Sequence, residues 1–205
     1  MKRLLILILL CFSLVLSADA RMSLMQLTAG PSTAGPSCNI SQQIEDQAPS
    51  NSQAVGATSV NYYASKFTYN GTTGKHICKM TLWMKKTGAP TDNYYVAIWG
   101  HNAGDYPEDD DVIGTSDPLL SSTVPTDANS PVTITFSTPT GPLSNGTDYW
   151  VVLSRPDVIN SDNILHWEQV NDAEPEPERT CWSNNSGASW TYLYALTGKY
   201  ELISE

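Results

Sequence analysis

Cys78-Lys79-Met80-Thr81-Leu82-Trp83-Met84-Lys85 is the stretch whose reading decides the fold. Every second residue is apolar: Cys78, Met80, Leu82 and Met84 fall on one face, and Lys79, Thr81, Trp83 and Lys85 on the other. A two-residue period of this kind is that of a half-buried β-strand, because successive side chains leave a strand on opposite faces. Turn residues follow at Gly88-Ala89-Pro90-Thr91-Asp92-Asn93. They lead into a second alternating run in which Tyr94, Val96 and Ile98 oppose Tyr95, Ala97 and Trp99. The two runs read as neighbouring antiparallel strands joined by that turn.

Outward from this pair the pattern repeats. Val132, Ile134 and Phe136 alternate with threonines, Asn145-Gly146 marks a tight turn before residues 149–153, and short strands are expected at 164–168, 191–196 and 198–203. Residues 100–111 read as a long polar loop. No stretch sustains a 3.6-residue period with caps. Many short strands separated by turn signals predict an all-β domain, an antiparallel β-sandwich of jelly-roll type over residues 56–205.

Ahead of it, Lys2 and Arg3 precede an apolar run at 4–16 and then Ala18-Asp19-Ala20. This is a basic n-region, a short h-region and an A-x-A site, so residues 1–20 are expected to be a cleaved signal peptide. The run is shorter than the roughly 20 residues of a membrane span, so membrane insertion is not expected. Residues 21–55 read as a flexible linker or N-terminal arm. They contain Thr28-Ala29-Gly30-Pro31-Ser32 repeated as Thr33-Ala34-Gly35-Pro36-Ser37, and a short helix could fit only at about 40–46. Glu174-Pro175-Glu176-Pro177-Glu178 reads as an extended spacer. The expected address is secreted, extracellular or at the cell surface.

Loss of the leader removes Lys2, Arg3 and Asp19 and leaves a net charge of about −11 against −10 for the whole chain. Such a balance repels phosphate backbones and anionic lipid, which argues against nucleic acid as a partner. Three cysteines remain, one more than a single bridge uses. Cys78 shares the apolar face of its strand, whereas Cys38 and Cys181 lie in polar segments, so a Cys38–Cys181 disulfide is expected.

Several pieces have a familiar look. They are Val96-Ala97-Ile98-Trp99 with Asn102-Ala103-Gly104-Asp105-Tyr106-Pro107, Asn145-Gly146-Thr147-Asp148-Tyr149-Trp150-Val151-Val152-Leu153, and Trp167 with Ser189-Trp190-Thr191. Together, over residues 60–202, they resemble a loose group of secreted bacterial jelly-roll modules of the choice-of-anchor and carbohydrate-binding type. The resemblance implies a β-sandwich and an extracellular address. It transfers no functional residue.

Site candidates therefore rest on residue chemistry. Trp83, Tyr95 and Trp99 point away from the core face, and Trp150 opposes Val151. Flat rings on a sheet surface stack on the C–H faces of sugars, so these four are the expected ligand-binding residues, with Trp83, Tyr95 and Trp99 in one platform. The competing reading packs the same rings as a second core under the arm or a loop. Asp105, Asp109, Asp110 and Asp111 share one loop, and oxygen ligands in a loop suit calcium, although the spacing matches no EF-hand and a solvated acidic loop is the preferred reading. Among His76, His101 and His166 no catalytic arrangement is apparent, and no pair of carboxylates stands out, so no enzymatic activity is expected. Asn39, Asn70, Asn145 and Asn184 begin N-x-Ser/Thr sequons. The expected function is a non-catalytic module binding an extracellular polysaccharide. The alternative is a structural or adhesive subunit whose aromatics and arm contact neighbouring protein subunits.

Overall fold

The computed structural model describes residues 38, 40–43, 51–56, 60–156, 162–170, 179–193 and 196–204. All belong to the second of two compact units, Cys38–Glu205. The expected signal peptide, residues 21–37, the 174–178 spacer and Asn39 lie outside the described residues.

The strands, in chain order, are β1 (Ile40–Gln43), β2 (Asn51–Val55), β3 (Tyr62–Tyr69), β4 (Ile77–Thr87), β5 (Asn93–His101), β6 (Pro107–Thr115) and β7 (Leu119–Leu120). They continue as β8 (Ser130–Thr135), β9 (Thr147–Ser154), β10 (Ile164–Val170), β11 (Thr180–Ser183), β12 (Thr191–Leu193), β13 (Thr197–Gly198) and β14 (Tyr200–Ser204). They build two antiparallel sheets packed as a β-sandwich, the all-β architecture that the alternation predicts. The first sheet runs β1-β14-β4-β10-β13, with β2 on β10 and β8 on β4. The second runs β12-β11-β3-β9-β5-β6, with β7 beside β5. Among the described residues no helix is long and apolar enough to cross a membrane.

The inner faces are the ones the two-residue period assigns. Met80, Leu82 and Met84 of β4 face Tyr94, Val96 and Ile98 of β5, and Phe67, Val151, Trp167 and Leu202 join them in one buried cluster. Burial of each such side chain stabilises the fold by roughly 1.5–3 kcal/mol.

The partnership of β4 and β5 is not the expected one. Both edges of β4 are occupied by other strands, β8 on one and β14 followed by β10 on the other. The turn at 88–93 is therefore a crossover between sheets. Gly88, with φ of +74°, packs against the backbone at Asp162, the Ala89 amide donates to Asn163 Oδ1 (2.7 Å), and Asp92 meets Arg155. Arg155 is fully buried and clamps both layers. Its Nε and Nη2 donate to Asp92 (2.7 and 2.5 Å), and Nη1 donates to the carbonyls of Val55 and Asn163 (2.9 and 3.0 Å). A buried guanidinium satisfied on every side in this way locks the crossover in place.

Two further expectations are corrected. Residues 40–43, where a short helix could fit, are strand: β1 runs along β14, and β2, also within the 21–55 segment, runs along β10, where the edge of the first sheet offers unpaired backbone groups. The bridge joins Cys38 to Cys78 (Cα–Cα 6.2 Å), and Cys181 is a buried free thiol. The register explains the partner: β1 begins at Ile40 opposite Ser204, and Ser204 lies opposite Ile77, so Cys38 arrives at the start of β4. Cys181 sits in the other sheet, between Ala64 and Tyr192.

Candidate binding face

The outer face of the second sheet carries a second cluster of buried side chains, Ala64, Ala97, Trp99, Trp150, Val152 and Cys181. Strand register arranges this face in rows. One row holds Ser183, Tyr62, Ser154 and Tyr95 across β11, β3, β9 and β5. The next holds Cys181, Ala64, Val152, Ala97 and Thr115, all small, and the third holds Lys66, Trp150, Trp99 and Val112. The small middle row leaves room for the Trp99 indole, which reaches Tyr62 (centroids 6.2 Å) and meets Trp190 edge-on (6.0 Å, 89°).

Residues 184–190 cover that indole. Gly187 sits at φ +92° with Trp99 Cη2 only 3.0 Å from where a Cβ would stand, so the position needs glycine for both conformation and space. Ser183 Oγ accepts from the amides of Asn185 (3.3 Å) and Gly187 (3.0 Å), which ties the cover to the end of β11. Trp99 is left 8 % exposed and Trp150 0 %.

Beside the indoles lies a charge hub. A tight turn joins β5 to β6, with Asn102 Oδ1 accepting from the amides of Gly104 (2.9 Å) and Tyr106 (3.0 Å). This side chain-to-backbone turn places Asp105 at φ +65°, a left-handed conformation that Asp tolerates better than most residues. The Asp105 carboxylate pairs with buried Lys66 (2.9 Å), with Arg179 and with His101 Nε2 (3.4 Å). Asp148 adds a longer contact to Lys66 (3.8 Å). Trp150 Nε1–H donates to His101 Nδ1 (3.1 Å), so Nδ1 is the lone-pair nitrogen and the ring proton sits on Nε2, facing Asp105. Tyr192 donates its hydroxyl to the Asp105 carbonyl, stacks on Tyr106 (4.3 Å) and lies under Arg179 (5.5 Å). Burial, then the Asp105 charge, pushes the Tyr192 phenol up to about 12. Burial likewise raises the Cys181 thiol, which makes it an inert core residue.

The expected site residues are thus dispersed. Trp83 lies on the outer face of the first sheet, half-buried, with Lys199 Nζ 4.9 Å from its ring centre. Tyr95 and Trp99 lie on the second, so the three rings form no single platform. Trp150 and nearly all of Trp99 are core, which leaves Tyr95 as the accessible ring among the expected residues of this face. The loop expected at 100–111 is strand at both ends, the last two residues of β5 and the first five of β6, and the register jumps from Val112 opposite Trp99 to Glu108 opposite Gly100. Asp109, Asp110 and Asp111 bulge between them and are exposed, with the Asp111 carboxylate against Gly100, while Asp105 is turned to its cations. Among the described residues no three His, Cys, Asp or Glu side chains gather in a group that could hold a metal ion. A cation at Asp105 would have to displace Lys66 and Arg179.

Tyr62 and the cations that gather on Asp105 were not picked out from the sequence. The one local signal was His101 and Asp105 four residues apart, whereas Lys66 and Arg179 come from distant strands. Compared with known proteins, the chain matches no family model and no curated protein.

Proposed function

We propose that the chain is a secreted, non-catalytic binding module for an extracellular carbohydrate, which stacks on Tyr95 at the outer face of the second sheet. The observation that carries this reading is the row in which half-buried Tyr62 and Tyr95 flank Ser154. Two strand spacings separate them by about 10 Å, the scale of a disaccharide. The buried indoles beneath make a stiff floor, and rigid aromatic contacts lose little entropy on binding. The setting agrees with the resemblance to secreted jelly-roll modules and with the signal-like N-terminus.

A second reading, a subunit contact in a surface assembly, is favoured by one feature. Val112 (47 % exposed) and Leu120 (52 % exposed) are the exposed large hydrophobic residues among those described, and both border this face. A glycan array on the mature protein, repeated with Tyr95→Ala and Tyr62→Ala, separates the two. The carbohydrate reading requires glycan binding that drops at least about tenfold in Tyr95→Ala with an unchanged melting temperature, the loss expected for one stacking ring. No glycan signal, with concentration-dependent self-association lost in Val112→Ser, would favour the subunit.

A further inference from the structure

We infer that acid switches this face: protonation of His101 transfers its ring from Trp150 to Asp105 and releases the indole floor beneath the sugar, a regulation that rests on the proposed binding at Tyr95. It begins with what an indole can do. Trp150 Nε1–H is a donor only, and its partner is His101 Nδ1 at 3.1 Å. The two rings are nearly coplanar, 13° apart with centroids at 6.2 Å, as an in-plane bond between ring nitrogens requires. Trp150 is fully buried, so water does not replace that partner. The imidazole therefore keeps its lone pair on Nδ1 and its proton on Nε2, which faces Asp105 at 3.4 Å.

A second proton can enter only at Nδ1. There it sets N–H against N–H and leaves the indole donor buried and unpaired, a costly arrangement. The same proton charges the ring, and the Asp105 carboxylate attracts it through Nε2. The ring trades partners. Histidine is the side chain whose charge changes between pH 5 and 8, and the His101 side chain is 25 % exposed, within reach of solvent protons. Its surroundings leave this as the charge that pH adds. Lys66 of β3, Arg179 just before β11, Asp105 of the β5–β6 turn and Asp148 of β9 are two cations and two carboxylates, and they cancel. Tyr106 and Tyr192 stack beside them, and burial holds the Tyr192 phenol and the Cys181 thiol neutral. On β6, Glu108 stands opposite Gly100 and Asp111 packs against it, both on the other side of β5.

Release of Trp150 reaches the sugar row. Trp150 stands opposite Trp99 in the register of β9 on β5, and the Trp99 indole reaches Tyr62 at 6.2 Å. Tyr62 shares its row with Tyr95. A floor that is fixed at neutral pH loosens in acid, and the rigidity that favours binding goes with it.

The test reads the floor and the ligand separately. In the free, isotope-labelled protein, the Trp150 indole N–H resonance should shift and lose protection from solvent exchange between pH 8 and 5, with the midpoint of the His101 ring. In His101→Gln the side-chain amide can accept from Trp150 and donate to Asp105 at every pH, so that resonance should stay fixed. An indole signal that ignores the His101 titration, or that still titrates in His101→Gln, overturns the partner exchange. Cellohexaose and the N-acetylglucosamine hexamer are uncharged throughout this range, so calorimetry with them reads the protonation of the protein alone. Affinity should fall at least about threefold from pH 8 to pH 5 in the parent, the order of one hydrogen bond, and should not fall in His101→Gln. Equal affinity at the two pH values, with the indole titrating, overturns the regulation and keeps Tyr95-dependent binding. Failure of every glycan, on the array as well, removes the carbohydrate reading and the regulation with it, while the indole resonance still decides the exchange.

Discussion

Trp83 and Trp150 occupy equivalent positions, each on the outward side of a strand whose other side lines the sandwich core. Their surroundings differ. Trp83, on the first sheet, is half-buried under Lys199, with the Lys85–Glu168 pair (3.3 Å) and the Thr87–His166 contact (3.0 Å) on the same face. Trp150, on the second sheet, is wholly enclosed between Trp99, His101 and Lys66, with the β5–β6 turn and residues 184–190 closing this face. Alternation assigns a side chain to a face of its strand. Whether that face meets water depends on what else packs there.

The largest effect that tests this contrast is Trp150→Ala. It removes an indole from a closed cluster and strips His101 of its donor, and should cost about 3–5 kcal/mol in urea unfolding. A loss below about 1 kcal/mol would mean that the outer cluster is not a second core. Trp83→Ala, by contrast, should cost about 1–2 kcal/mol, from partial burial and one cation–π contact. Near-equal losses in the two variants would erase the distinction between the faces.

The smallest effects are in pH dependence, and the faces should weaken at opposite ends. His166 of the first sheet has its pKa lowered from 6.5 by burial and then by the Lys85 charge. Its unfolded form binds the proton more readily, so its contribution is complete above 6.5 and lost as pH falls below it. Tyr192 of the second sheet, raised from 10.0 to about 12, contributes fully below 10 and loses that contribution as pH rises towards 12. Urea midpoints against pH should flatten on the acid side in His166→Gln and on the alkaline side in Tyr192→Phe. Matching slopes in parent and variants would show that these environments do not set the profile.

How far the molecule was legible follows the same division. The core faces of β4 and β5 were readable because Met80, Leu82, Val96 and Ile98 alternate with polar or aromatic neighbours. The strand pairing was not, because six turn residues at 88–93 suit a hairpin and a crossover equally until Arg155 and Asn163 hold them. Of the candidate site, Tyr95 was readable as an outward ring. Its partner Tyr62 was not, since the row joining them exists only through the register of β3 and β5 on β9.

The sequence by itself determined the all-β class and which side of each main strand turns inward. Both follow from a two-residue period set by local backbone geometry. Tertiary structure alone decided which sheet each strand joined, that Cys38 meets Cys78 and not Cys181, and which outward rings were covered. Those outcomes depend on hydrogen-bond partners and packing between residues far apart in the chain, and backbone amides and carbonyls are the same at every position along it.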